Sequence, residues 1–280
     1  MPVRNLCLFL CLGVVCLHVQ LLAGDFNRNG NIRRGIPCVE LGNSMKDEDK
    51  ERAQEIFDGV LKTLPRKGKA RKVKFPSKMV WLSGAPGSGK GTNVSSIMRA
   101  LEISNKPIEV SALLNSPEDQ EIKASGNLVD DERVVSRVFK ALTCSKYSKG
   151  VIVDGFPRTR VQAKCLKLLA DKIRIEGGNE PSSFIVVNFT VSRKTSVERQ
   201  LRRGQEALSY NESVASSSGS KVPVRETDMS EVSAAFRYQT YVDKMRDCLG
   251  ELRSMPEYYE IDTEGDMDTV RNRIHEVLLR

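Results

Sequence analysis

From residue 79 onward the chain alternates short apolar runs with amphipathic stretches. Met79-Val80-Trp81-Leu82-Ser83 is a continuous apolar run, which reads as a strand buried on both faces. A glycine-rich turn follows it, and Thr92 to Leu101 then has helical spacing. Ile108-Glu109-Val110 is a weak second strand. Val151-Ile152-Val153-Asp154 is a third, with an acid at its end. Phe184 to Val191 and Tyr258 to Asp262 are the fourth and fifth. Helical patterns fall at 131–143, 159–173, 194–203 and 229–253. Strands alternating with helices predict a parallel sheet covered on both faces. Ligands of such sheets sit beyond the carboxyl ends of the strands, where the glycine turn and Asp154 both fall.

Three segments precede this region. Met1 to Arg4 is a short positive stretch and Leu6 to Leu17 an apolar run of the length of a signal-peptide core, interrupted by His18 and Gln20. Residues 1–24 are therefore expected to be a signal peptide or an uncleaved anchor, with Ala23-Gly24 the best cleavage site. Residues 25–45 are rich in Asn, Arg and Gly and have no expected structure. A leader followed by such a basic stretch resembles the two-part addresses of plastids reached through the secretory pathway. Entry into the secretory route is the expectation; a plastid, or the cytoplasm if the leader is inert, are the alternatives. From Lys46 to Leu64 the apolar positions Ala53, Ile56, Phe57, Val60, Leu61 and Leu64 make one face of a helix, and Pro65 ends it. Core packing is the default for such a face. The expected boundaries are a basic extension over 25–78 and a catalytic domain over 79–280.

Charge changes the picture in one place. The net charge is +8, and Lys62 to Lys78 contains eight Lys and Arg and no acid, so this stretch accounts for the whole excess. A nucleic-acid-binding protein would carry basic charge on its folded body, so no nucleic-acid partner is expected. The stretch reads as a solvated linker or as a contact with an acidic membrane or partner. Any membrane contact is expected through the N-terminal segment alone. Cys38, Cys144, Cys165 and Cys248 lie outside the leader; without C-x-x-C spacing they argue against a zinc site and demand no disulfide.

The candidate chemistry is concentrated in Gly84-Ala85-Pro86-Gly87-Ser88-Gly89-Lys90-Gly91-Thr92. Glycines let successive backbone N–H groups turn toward one anion, and the helix that follows adds its positive end. Lys90 can reach phosphates; Thr92 can bond phosphate or shape a Mg²⁺ shell. The loop lies between a strand and a helix, as that mechanism requires.

Pro86 inside the loop and Gly91 between Lys90 and Thr92 make it resemble the adenylate kinase family. A second mark is Asp154-Gly155-Phe156-Pro157-Arg158-Thr159 with Gln162 four residues after the arginine. The likeness continues through 126–132, 198–204, 237–241 and 261–265, in the family's order. The resemblance implies a three-layer α/β phosphate-loop kinase fold with a five-stranded parallel sheet, a small acceptor-binding insertion near 106–136 and a short lid near 204–225. That lid has no cysteine, which excludes the zinc-bearing long form.

The same resemblance implies roles. Asp154 would hold Mg²⁺ through water, Arg158 would grip the acceptor phosphate, and Gln162 would bond the acceptor adenine. Val129 and Gly155 fall at acceptor-binding positions. Arg199 matches the arginine that stacks on the ATP base; Arg203, Arg225 and Arg237 match those that close on the transferring phosphates, and Asp228 matches a lid aspartate. Arg forks suit phosphate oxygens, and phosphoryl transfer asks the protein mainly for positioning and charge stabilisation. The implied activity is transfer from Mg·ATP to a nucleoside monophosphate, AMP favoured because of Gln162, by a monomer. The alternatives are a UMP or CMP acceptor, or a nucleotide-binding regulator with little catalysis. The acceptor loop departs from the family pattern: Val110 stands where a base-contacting Thr is usual, Asn115 where a phosphate-binding Arg is usual, and the stretch from Asn115 to Gly126 is short.

Overall fold

The computed structural model describes residues 47–68, 72–124, 128–176, 183–215 and 219–279. The leader and the stretch 25–45 lie outside the described residues. Five strands form one parallel sheet: β1 (Lys78–Gly84), β2 (Ile108–Glu109), β3 (Val151–Asp154), β4 (Ser183–Thr190) and β5 (Glu257–Asp262), in the order β2-β3-β1-β4-β5. β1 lies between β3 and β4, which is why its apolar run is unbroken: both faces are covered. Met79 and Trp81 point into one apolar layer, Val80 and Leu82 into the other. The first layer is closed by α1 (Asp47–Thr63), α5 (Asp131–Leu142), α6 (Arg160–Glu176) and α8 (Glu231–Arg253); the second by α2 (Lys90–Ala100) and α9 (Met267–Leu278). This is the expected three-layer α/β arrangement.

The structure departs from the sequence expectation in four places. The first is α1. Ala53, Ile56, Phe57, Val60 and Leu64 are buried in the same cluster as Phe139, Leu142, Leu166 and Leu169. Phe57 meets Phe139 edge to face at 6.2 Å. The helix is part of the kinase body, so residue 79 does not mark the start of the folded unit.

The second is Val110, which leaves the sheet after two residues of β2 and starts the short helix α3 (Val110–Leu113). The third is α7 (Arg193–Ser213), which runs ten residues past the expected end, through Gly204 and into the lid segment. A Cβ at Gly204 would lie 2.5 Å from Asp228 O, so this glycine admits the returning chain at the short turn Glu226–Asp228 against the helix instead of ending it. Asn211 also holds the returning chain, its side chain donating to Val222 O and accepting from Val222 N, both at 2.8 Å. Finally, α4 (Pro117–Ala124) and α9 follow segments too short or too polar to stand out in the pattern.

Candidate active site

β1 delivers the chain to Gly84, and the turn that follows wraps the carboxyl edge of the sheet before α2 begins at Lys90. Gly87 has φ +71°, and a Cβ there would lie 2.5 Å from Ser196 O on α7, so both conformation and space require glycine. Ser196 fixes the loop from that side, its hydroxyl donating to Pro86 O at 2.7 Å, while Gln200 Nε2 donates to Ser196 Oγ and to Ala234 O of α8. A polar seam thus ties the loop through α7 to α8. No side chain caps the start of α2, and Gly91 and Thr92 are exposed there, leaving the helix's first N–H groups open to an anion.

Lys90 folds back over the loop and donates to Gly84 O and Ala85 O. Desolvation pushes its pKa down to about 8; Asp154 opposes this, while Arg158, Arg237 and Arg203 reinforce it. Asp154, at the end of β3, has its carboxyl pKa raised by desolvation against the pull of Lys90 and Arg158. Its Oδ1 is buried and has no hydrogen-bond partner, as has Ser88 Oγ in the loop. A buried carboxylate oxygen without a partner, facing a phosphate cradle, is the donor type a hard cation such as Mg²⁺ takes. Among the described residues no group of three His, Cys, Asp or Glu could hold a metal by itself, so any such ion would depend on its nucleotide and water ligands.

The arginines converge on this loop from two sides. Arg158 follows β3, its tip open to solvent and its Nε donating to Gly155 O at 2.9 Å; desolvation lowers its pKa. Arg203 from α7 makes a two-point pair with Asp228 at 2.7 and 2.8 Å, and Arg237 from α8 reaches the same carboxylate at 3.2 Å. Asp228 is 2% exposed. Arg237 is pushed down to about 10, first by desolvation and then by Arg225. Arg225 is exposed and close enough to bias Asp154 and Arg237. Five of the six cations named from the sequence, Lys90, Arg158, Arg203, Arg225 and Arg237, therefore share one electrostatic neighbourhood. Neighbouring arginines lower the pKa of Lys90 and of Arg237, each after desolvation as the larger cause.

Arg199 stands apart from them. Its guanidinium donates to Thr263 O at 2.9 Å and Gly265 O at 3.1 Å, and so forms one wall of a cleft of about 520 Å³. Gly89, Thr92 and Asn93 supply the side of that cleft nearest the loop, and Glu264 to Met267 the far side. A planar cation held by backbone carbonyls is a ready stacking surface for a base.

The acceptor half differs from what its sequence implied. Gln162 is 2% exposed, and its amide is engaged at both ends: Oε1 accepts from Arg158 N at 2.8 Å, and Nε2 donates to Asp131 Oδ1 at 2.9 Å. Asp131 Oδ1 also accepts from Thr159 Oγ1 at 2.7 Å. In this state Gln162 braces the Arg158 backbone and does not present its amide to a base. The side chain of Val129 is buried in the core cluster, which leaves only its backbone for an acceptor. Val110 is likewise core, and Asn115 is exposed. The insertion is pinned by Asp119, fully buried, which Arg133 reaches at 3.0 Å and Arg137 at 3.8 Å. Ser196, Asp119 and these two arginines fall in no motif of the sequence, and the contacts that place them come from other elements.

Comparison with known proteins agrees with this geometry. The profile of a family described as "AAA domain" matches residues 83–214. The class here is that of ATP-dependent nucleoside monophosphate kinases. An adenylate kinase of Parabacteroides distasonis is 35% identical over 135 residues, covering 45% of this chain and 67% of that protein. One from Xanthomonas oryzae pv. oryzae is 29% identical over 206 residues, covering 71% of this chain and 98% of that protein. The chain belongs to the adenylate kinase family.

Proposed function

We propose that this protein transfers the terminal phosphoryl group of Mg·ATP reversibly to AMP, giving two ADP. The observation that carries the reading is the gathering of Lys90, Arg158, Arg203, Arg225 and Arg237 around one glycine loop, with Asp154 opposite. The backbone N–H groups from Gly89 to Thr92 hold the donor phosphates, and Lys90 exchanges the carbonyls of Gly84 and Ala85 for phosphate oxygen. Arg203 and Arg237 turn from Asp228 onto the charge that spreads over the transferring group, and Arg158 holds the acceptor phosphate in line. Asp154 would hold Mg²⁺ through its water shell with the Thr92 hydroxyl nearby; the ion supplies charge neutralisation between the phosphates.

The names of the relatives support AMP as acceptor. The engagement of Gln162 by Arg158 N and Asp131 favours a second reading, an acceptor site that discriminates weakly among bases and takes UMP or CMP. A coupled assay of the full chain against AMP, UMP, CMP and GMP tests both. AMP turnover well above the others supports the first, and comparable turnover the second. ATP binding without turnover of any monophosphate would make the protein a nucleotide-binding regulator. We also propose that residues 1–24 direct the chain into the secretory route, a plastid being one destination; a reporter fused to residues 1–78 that stays cytosolic refutes this.

A further inference from the structure

The amino edge of the sheet, opposite the phosphate loop, carries a second feature. The described parts of the acid-free stretch 62–78, residues 62–68 and 72–78, are folded onto the body. Lys67 and Lys72 form an antiparallel bridge, Lys67 Nζ donates to Thr143 O at 2.6 Å, and Ser77 donates to Ser148 O at 2.9 Å and to Lys149 O at 2.8 Å. These parts thus lie along the end of α5 and the turn before β3. That second segment, 134–150, also contains no Asp or Glu. Arg66, Lys72 and Lys74 from the first and Lys140, Lys146 and Lys149 from the second are all exposed. None of the ion pairs among the described residues uses them. On α6, by contrast, Lys167 and Lys172 are each paired within their own helix.

We propose that this face docks on an anionic lipid bilayer. Two segments far apart in sequence contribute to it, so the charge excess is a surface of the folded body and not a loose linker. Five of the six groups are lysines, compact charges suited to the diffuse field of acidic headgroups. Nucleic-acid surfaces use arginine forks and exposed aromatic platforms. Here Tyr147 is 8% exposed and Phe75 packs against the core, so no stacking platform is offered. The face lies across the sheet from the catalytic cleft, so docking leaves the cleft open to nucleotide. Among the described residues no helix is long and apolar enough to cross a membrane.

The test is cosedimentation of the full chain with phosphatidylcholine vesicles, with and without phosphatidylserine. Binding is read directly and is independent of catalysis, so failure here is distinct from failure of the kinase reading. Phosphatidylserine should raise binding, and salt from about 0.1 to about 0.5 M should abolish the increment. Replacing Lys72, Lys74, Lys140 and Lys146 together by Gln should lower the partition coefficient about 10²–10³-fold, roughly fivefold per charge. The melting temperature and nucleotide turnover should stay unchanged. Equal binding to neutral vesicles, undiminished binding by the folded variant, or tighter binding to duplex or single-stranded nucleic acid at the same salt would each overturn the proposal.

Discussion

Phe57→Ala is expected to destabilise the whole kinase body, although the residue lies ahead of every motif that carries chemistry. Phe57 is 5% exposed and packs edge to face on Phe139 within the cluster that backs β1 and β3. Truncating a buried Phe to Ala typically costs about 3–5 kcal/mol, the transfer term plus the cavity it leaves. Domains have a total stability of about 5–15 kcal/mol, so the loss is a large fraction. For a body of this size each kcal/mol moves the melting temperature by roughly 2–4 °C, which gives a drop of about 6–20 °C. Thermal unfolding followed by circular dichroism measures it, with Glu51→Ala on the exposed face of α1 as control, expected to change stability by less than about 0.5 kcal/mol. The same reasoning predicts that a fragment beginning at residue 79 exposes Phe139, Val135 and Cys165 and loses cooperative unfolding. If Phe57→Ala behaved like the control, or the fragment melted as the longer protein does, α1 would be an appendage and the reasoning would fail.

Lys90→Met should leave a folded protein with turnover lowered by about 10²–10³, the usual loss for one electrostatic donor; unchanged turnover would remove Lys90 from the phosphate site. Lys90 has a folded pKa lowered to about 8 from 10.5, so the free protein releases this proton before the unfolded chain does. The burden of burying the ammonium is therefore full below pH 8 and is relieved as pH rises from about 8 to 10.5. ATP should restore the proton, so calorimetry near pH 9 in two buffers of different ionisation enthalpy should show uptake approaching one proton, absent in Lys90→Met. Asp131→Asn should raise the acceptor KM several-fold and change the ranking of acceptor bases while the ATP KM stays fixed; an unchanged ranking would separate Asp131 from Gln162. Asn115→Arg should lower the acceptor KM about ten- to a hundredfold if a second phosphate contact is missing there, and no change would mean that the insertion binds phosphate by other groups.

The parts of the fold legible in the sequence were those with local causes. β1 was readable because a strand with neighbours on both sides is apolar at every position, and the phosphate loop because its glycines answer a demand of its own backbone. Strand order was not readable, since nothing in Ile108-Glu109 specifies that β3 separates it from β1. Gly204 misled in an instructive way. A glycine after a helical pattern ordinarily marks a helix end, but here it serves a contact with Asp228, 24 residues later. The register of α1 was visible in its apolar face, yet its basic surroundings made it look like an extension. Gln162 had the right residue type and spacing for reading a base; that its amide holds Arg158 N and Asp131 follows only from the position of α5.

Asp228 has a consequence for selectivity. Buried between Arg203 and Arg237, it is an internal stand-in for the nucleotide's own charge. An incoming ligand must offer those two guanidinium groups more than a well-placed carboxylate does before they will turn toward it. A triphosphate bridging the loop and the lid can do so; a lone inorganic phosphate, or water beside an unoccupied acceptor site, offers far less. On the proposed reading, Asp228 therefore sets a threshold that a bound triphosphate meets and inorganic phosphate does not.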